Sequence, residues 1–260
     1  MLHKMSKQIS DEARVAKSFR RGLESYERSA IFQQQIAIDL VEALQSNSNV
    51  SQFDRALEFG VGTGFLTRQL VEQFQISNLF TNDLVAECAS KIEEIAPSST
   101  FITGPIQDIV LPNQCDLVAS SSAIQWIPEL ASLIARLSTK LNIGGWLALS
   151  GFGPKHFYQL QEMGSRAAAP SYADTTELEN MLPDCMQVAH INMCEVSLEF
   201  DDLATLLRHL RDTGVNGRAD GMLTKSNFKQ FELEYADKFA RDGKLQLTYQ
   251  PVRIVAQRKF

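Results

Sequence analysis

A chain of 260 residues with 44% apolar content is long enough to bury one sizeable α/β core, and a formal net charge of −6 with a pI near 5.3 excludes general nucleic-acid binding. No apolar run approaches the ~20 residues a membrane helix needs, and the polar start carries no signal-type apolar core, so the chain reads as cytoplasmic. Cys88, Cys115, Cys185 and Cys194 form neither a C-x-x-C pair nor a metal-type cluster with histidine, which reads as reduced thiols.

From about Ser6 to Gln45 apolar residues recur every three or four positions (Val15, Phe19, Leu23, Tyr26, then Phe32, Ile36, Leu40), predicting helices with a weak point at Gly22. From Phe53 strand and helix patterns alternate: a strand ending near Phe59, a helix over 64–74, a strand over 78–82 and a helix over 85–95 closed by Pro97. A short strand over 100–103, a strand over 116–120, a helix from Pro128 to about Leu141 and a strand over 146–151 entered through a Gly144-Gly145 turn complete the series. Alternation of this kind means βαβ units, right-handed crossovers and a mostly parallel sheet.

Beyond Gly153 a helix fits 155–165, another starts at Thr175-Thr176-Glu177 and ends at Pro183, and 188–200 alternates as one strand. Asp201 or Asp202 is placed to cap a helix through Leu210; a glycine-bearing loop (214–221), a helix over 224–241 and a last strand over 245–256 follow. The two late strands are expected to pair antiparallel at the sheet edge. The economical organisation is one domain: N-terminal helices (6–46), a ligand-binding core (53–151), then cap helices and last strands (152–260). From Asp201 onward 11 Lys or Arg stand against 8 Asp or Glu, a locally basic end that reads either as a solvated helix face or as a surface for an acidic partner.

The informative stretch is Ala56–Thr67, ALEFGVGTGFLT, where an apolar run ends in three alternating glycines before a helix. Glycine accepts positive φ and has no Cβ, so a ligand can approach the backbone closely. The N–H groups of the next helix's first turn point into the same space. A dinucleotide fingerprint would need its third glycine at Phe65. The spacing here is instead E-x-G-x-G-x-G from Glu58 to Gly64, with Asp83 nineteen residues further on. Asp83 sits where a carboxylate accepts ribose hydroxyls, or, on the blander reading, caps a helix.

This pattern resembles the class I S-adenosylmethionine-dependent methyltransferases, which implies a Rossmann-like, mostly parallel seven-stranded sheet with N-terminal helices and a C-terminal helical cap. The resemblance implies that Gly60, Gly62 and Gly64 line the amino-acid part of S-adenosylmethionine, that Glu58 helps hold its amino group, and that Asp83, with Leu84 beside it, binds the ribose. After the third strand such enzymes often carry Gly-Asp, whose carboxylate meets the adenine amino group. Here the pair is Gly104-Pro105, so Asp108, Gln107 or backbone near Ile106 takes that place. Ser120 and Ser121, at the end of the fourth strand, are implied to face the sulfonium.

Ala123-Ile124-Gln125-Trp126 is similar to the A-x-Q-W segment of the malonyl-acyl-carrier-protein O-methyltransferases of biotin synthesis. Trp126 reads equally as a packing residue beneath a helix. Phe19, Tyr26, Ala30, Gln33, Gln35 and Ala37 resemble that family's N-terminal helix, as do Leu207–Gly214, Leu223-Thr224-Lys225-Ser226 and Leu247-Thr248-Tyr249 its C-terminal motifs. The resemblance spans about Val15 to Gln257 and implies that Tyr26 closes over the cofactor while Gln125 and Trp126 line the methyl.

The implied acceptor is the free carboxylate of a malonyl thioester on acyl carrier protein, or on coenzyme A. Its methyl ester lets fatty-acid synthesis elongate a disguised dicarboxylate toward pimelate and biotin. A carboxylate of pKa near ~4 is ionised at neutral pH and needs no general base, so catalysis rests on placement and on exclusion of water. A bidentate Arg suits the acceptor carboxylate: Arg208 and Arg211 are the candidates, with Arg218 and Arg166 also open. Arg211, Arg218, Lys225 and Lys229 are a candidate docking face for the acidic carrier protein. His3, His156, His190 and His209 form no metal signature, and no metal, membrane or nucleic-acid partner is expected of what reads as a monomer. The alternative is a class I methyltransferase acting on another small carboxylate without a carrier protein.

Overall fold

The computed structural model describes residues 16–17, 19–20, 23, 29–165, 169–213 and 227–260. They fall into two compact units. One takes 31–154, 169–194 and 251–260; the other takes the described residues of 1–30, 155–168 and 195–250.

The larger unit is built on seven strands: β1 (Gln52–Phe59), β2 (Gln75–Asp83), β3 (Thr100–Thr103), β4 (Cys115–Ser120), β5 (Leu141–Phe152), β6 (Met186–Met193) and, past the other unit's segment 195–250, Pro251–Arg258. That last strand is β10, following β7 (Val196–Phe200), β8 (Ala240–Arg241) and β9 (Lys244–Tyr249). The order is β3-β2-β1-β4-β5-β10-β6. β1 pairs parallel with β2 and β4, β2 with β3, and β4 with β5, while β10 runs antiparallel to both β5 and β6.

Both faces of this sheet are covered, which is why the central strands are apolar at consecutive positions rather than alternating with polar ones. On one face α1 (Ile31–Ser48) turns Ala37, Leu40, Val41 and Leu44 onto Ala56, Leu117, Ala119, Trp146, Ala148 and Val255. On the other face α4 (Leu130–Ser138) packs Leu130, Leu133, Ile134 and Leu137 with Leu57, Val118, Leu147 and Ile254. Between them in sequence lie α2 (Phe65–Gln73) and α3 (Cys88–Ile95). α6 (Thr175–Asn180) opens on a capping box, with the Asp174 and Glu177 side chains each accepting from the other's backbone N–H.

The smaller unit has a three-stranded antiparallel sheet, β7-β9-β8. Its helices are α5 (Tyr158–Glu162), α7 (Leu203–Asp212) and α8 (Phe228–Phe239). Asp202 caps α7 by accepting from Thr205 N–H at 2.7 Å. Tyr235 of α8 is fully buried and donates its hydroxyl to Gln246 O at 2.8 Å. Asp242 and Gly243, both at positive φ, make the tight β8–β9 hairpin.

Four sequence expectations are corrected. Gly144-Gly145 is a bulge inside β5 and not a turn before it: Cys115 pairs with Leu141 and Leu117 with Trp146, so β5 carries extra residues against β4. The expected strand over 188–200 is two strands, β6 and β7, in different sheets, broken at Cys194-Glu195. The expected strand over 245–256 likewise divides at Gln250 into β9 and β10, where Pro251 has no N–H to continue a ladder. The last residues of the expected 224–241 helix form β8 instead. Period-two alternation marks an extended chain but not where that chain changes sheet. Val15, Gly22, the 214–221 loop and the 224–226 helix start lie outside the described residues.

Candidate active site

The glycine turn joins β1 to α2 and is tied to the end of β2. Gly60 and Val61 donate their N–H groups to Asn82 O at 2.8 and 3.2 Å, and Gly64 donates to Val61 O at 2.9 Å. Gly60, Gly62 and Gly64 have φ of +66°, +53° and +87°, the left-handed region that side chains other than glycine disfavour. A Cβ on Gly60 would stand 2.4 Å from Ala123 Cβ, whereas one on Gly62 would meet nothing within 4 Å. The turn is therefore packed at Gly60 and open at Gly62.

Asp83 ends β2 and is buried. Its Oδ2 accepts from Gly62 N–H at 2.9 Å and its Oδ1 from Val85 N–H at 2.8 Å. It holds local backbone but does not cap α3, whose N-cap is Glu87, and the Leu84 N–H and the Cys88 thiol are further donors to its carboxylate. Leu84 follows, half-buried.

Glu58 is buried beside this turn, and its Oε2 has no hydrogen-bond partner. Burial pushes its carboxyl up to about 8; Thr67 opposes the shift and the Asp83 charge adds to it. Burial raises Asp83 as well, against the backbone bonds from Gly62 and Val85. Thr63 Oγ1 is another buried polar atom without a partner here. A buried carboxyl with an unmatched oxygen suits a cationic group, which would restore its charge.

At the end of β4 the Ser120 hydroxyl donates to Phe59 O at 2.8 Å, so it links the two strands from a fully buried position. Ser150 of β5 donates its hydroxyl to Ser121 Oγ at 3.0 Å, and Ser122 N–H donates to Ser150 O at 3.1 Å. Ser122 itself lies at φ +56°. Gln125 is buried in the short 3-10 turn Ile124–Trp126: its Nε2 donates to Ser122 O at 2.6 Å, its backbone O accepts from Ser171 N–H at 3.0 Å, and its Oε1 is unpartnered. Trp126 is half-buried. Since Ala123 touches Gly60, this segment and the glycine turn stand side by side. Ile106, in the loop after β3, is buried, Gln107 is half-buried and Asp108 is exposed.

Arg208 and Arg211 lie in the smaller unit, exposed on α7 opposite its buried Leu203, Leu206 and Leu210. Arg211 Nε pairs with Asp212 at 3.0 Å, and Lys229 pairs with Glu232 at 3.2 Å. His209 Nε2 and Tyr249 Oη are 2.7 Å apart, and burial holds His156 well below its ordinary value. Tyr26, Arg166, Arg218, Lys225 and His3 lie outside the described residues. Among the described residues no three His, Cys, Asp or Glu gather as a metal site, and no helix is long and apolar enough to cross a membrane.

Sequence reasoning missed Asn82, Ser150 and Arg136. Asn82 donates its side-chain amide to Ile102 O and Gly104 O at 2.8 and 2.9 Å. Their roles lie in bonds to other segments, which spacing does not reveal; only Arg136, the one charged residue in the helix LASLIARLS, carried a visible signal.

Residues 57–149 match a family model described as a methyltransferase domain. The chain is 31% identical over 257 residues to the malonyl-acyl-carrier-protein O-methyltransferase of Chlorobium phaeovibrioides, covering 96% of this chain and 98% of that one. It is 31% identical over 248 residues to the enzyme of the same name from Acinetobacter baylyi, covering 94% and 96%. Among solved structures it is similar to the N-methyltransferase NodS from Bradyrhizobium japonicum in complex with S-adenosyl-l-homocysteine, with TM-score 0.56, 10% identity and 95% and 100% of the two chains covered. It is also similar to YcgJ from Bacillus subtilis, with TM-score 0.60, 12% identity and 85% and 99% covered. At these identities the solved structures attest the fold alone.

Proposed function

The chain belongs to the malonyl-acyl-carrier-protein O-methyltransferase family, and on that footing we propose that it methylates the free carboxylate of a malonyl thioester on acyl carrier protein. The observation that carries this reading is similarity over 98% of a relative's length, which takes in the cap elements as well as the core. The product is a malonyl methyl ester, the disguised starter from which pimelate is built for biotin. An enzyme with that acceptor works in the cytoplasm, and we take it to act as a monomer.

The cofactor is S-adenosylmethionine. The site's residues fit it: Glu58 keeps an unmatched buried oxygen for a cation, Gly62 leaves open space, and the Asp83 carboxylate, bonded to Gly62 N–H, adjoins that space where ribose hydroxyls would come. When bound, it supplies a methyl carbon made electrophilic by a sulfonium sulfur. Ser121, Gln125 and Trp126, with Tyr26, are the residues we assign to lining that methyl and excluding water from it. The acceptor carboxylate is ionised at neutral pH, so no side chain has to take a proton from it. Arg208 and Arg211 are our candidates for the negative charge of the acceptor.

Mass spectrometry of malonyl-acyl carrier protein incubated with the enzyme and S-adenosylmethionine is the direct test. The mass of one methyl group is expected to appear on the malonyl moiety. An unchanged carrier protein beside a methylated free dicarboxylate would replace this reading with that of a small-carboxylate methyltransferase.

Glu58 makes cofactor binding pH-dependent. Its folded-state value lies above the ordinary 4.5, so the folded chain carries an extra proton between those limits. The stability this contributes is fully present below about 4.5 and lost as pH rises through about 8. Binding an ammonium beside Glu58 expels that proton. Affinity is therefore expected to climb with pH, by up to about tenfold per unit, until about 8, where the ligand's own α-ammonium, of pKa about 7.7–8.0, begins to lose its charge. Calorimetry in two buffers of different ionisation enthalpy measures the released proton; identical heats at pH 6.5 would refute the linkage.

A further inference from the structure

After β3 the chain turns through Gly104, Pro105, Ile106, Gln107, Asp108 and Ile109. This loop is held from two sides. Toward β2, Gly104 N–H donates to Asp83 O at 2.9 Å, and the Asn82 amide holds Ile102 O and Gly104 O. Toward α4, the Arg136 guanidinium takes three carbonyls: Nη1 donates to Ile106 O at 3.1 Å and to Gln107 O at 2.7 Å, and Nη2 donates to Ile109 O at 2.5 Å. Pro105 O accepts from the N–H groups of Asp108 and Ile109 at 2.9 and 3.2 Å, which closes the turn.

A planar fork of fixed donors suits several carbonyls at once, as a lysine's single point charge does not. In a trans peptide the C=O and N–H point opposite ways. With Ile106 O turned to Arg136, the Gln107 N–H is therefore turned away from α4.

The strand order β3-β2-β1 sets three features in a row at the carboxyl ends: this loop, Asp83, and the glycine turn with Glu58. A ligand whose cationic end lies at Glu58 and whose ribose lies at Asp83 presents its base to the third. The loop has proline at 105, and its one carboxylate, Asp108, is exposed. The backbone of the loop, rather than an acidic side chain, is what a base would meet.

We infer that Arg136 is the positioning residue for the nucleobase: it fixes the main chain of Ile106 and Gln107, and that main chain recognises adenine. This rests on reading the site as one for S-adenosylmethionine. The test compares Arg136→Met and Arg136→Lys with the wild-type protein. Calorimetry gives the Kd of S-adenosylhomocysteine and of its hypoxanthine counterpart, S-inosylhomocysteine, and thermal melting follows the unliganded proteins. Arg136→Met is expected to bind S-adenosylhomocysteine at least about tenfold more weakly and to lose most of its preference for adenine over hypoxanthine, with Arg136→Lys intermediate. If Arg136→Met does not fold, Arg136→Lys alone decides, by the same shift in preference.

A lowered melting temperature with an unchanged adenine preference would overturn the inference and leave Arg136 a purely structural residue. Wild-type binding with unshifted variants sinks this inference alone. A wild-type protein that binds neither compound sinks the cofactor reading, and this inference with it.

Discussion

Asp83→Ala is expected to lower affinity for S-adenosylmethionine by more than about 100-fold. Hydrogen bonds to a charged group contribute about 1.5–3 kcal/mol each, so removing two ribose hydrogen bonds together costs at least about 3 kcal/mol. The same carboxylate holds Gly62 N–H at 2.9 Å and Val85 N–H at 2.8 Å, so its removal also loosens the glycine turn. Asp83→Asn separates the two roles. An amide has one acceptor oxygen, so it can keep one backbone bond but cannot serve both N–H groups and the ribose. Its melting temperature is expected between those of Ala and wild type, with affinity still reduced at least about tenfold. Calorimetry with S-adenosylhomocysteine, beside thermal melts, reads both quantities. Affinity within threefold of wild type in the Ala variant would take Asp83 out of the ribose role.

Gly60→Ala and Gly62→Ala are expected to fail in opposite ways, although they lie two residues apart. A left-handed backbone costs a non-glycine residue about 1–2 kcal/mol at either position. At Gly60 the new Cβ would also stand 2.4 Å from Ala123 Cβ, a short side chain that cannot swing aside. Overpacking adds about 1–3 kcal/mol, so Gly60→Ala is expected to destabilise the fold by about 2–5 kcal/mol in a denaturant titration. At Gly62 the Cβ meets no protein atom within 4 Å, so only the backbone cost applies, but the methyl enters the open space that we assign to the cofactor. Gly62→Ala is thus expected to fold nearly normally and to bind S-adenosylmethionine poorly. Adding Ala123→Gly should restore part of the stability of Gly60→Ala and none of the binding of Gly62→Ala. Equal stability losses at the two positions would contradict the packed-and-open description of the turn.

The parallel half of the fold was legible because each βαβ unit advertises itself locally. β3 falls on the four residues that its short apolar run suggested, and α2 and β4 lie within one residue of their expected limits. The antiparallel additions were not, since 188–200 and 245–256 each alternate without interruption across a change of sheet. Within the site, Glu58, the three glycines and Asp83 were readable because one short segment and one strand end carry them. Asn82 and Ser150 were opaque for the opposite reason, and Arg136 showed only as a lone charge in an apolar helix: each acts on a segment some 20 to 30 residues away, at 2.8–2.9, 3.0 and 2.5–3.1 Å respectively. Asp108, one of the options offered for adenine, is exposed in a loop whose carbonyls are held by an arginine that spacing alone did not single out.

The place of β10 has a consequence for how the protein is made. Pro251–Arg258 is the last described strand to leave the ribosome, yet it lies between β5 and β6. Until it emerges, β5 has an open flank and β6 has no neighbour to pair with. Such exposed strand edges invite association between chains. The nascent polypeptide must therefore wait, through the synthesis of the intervening segment 195–250, with its principal sheet incomplete. Closure of that sheet is a late event of high sequence separation, slow by its topology, and it is the stage at which a chaperone would have the most to protect.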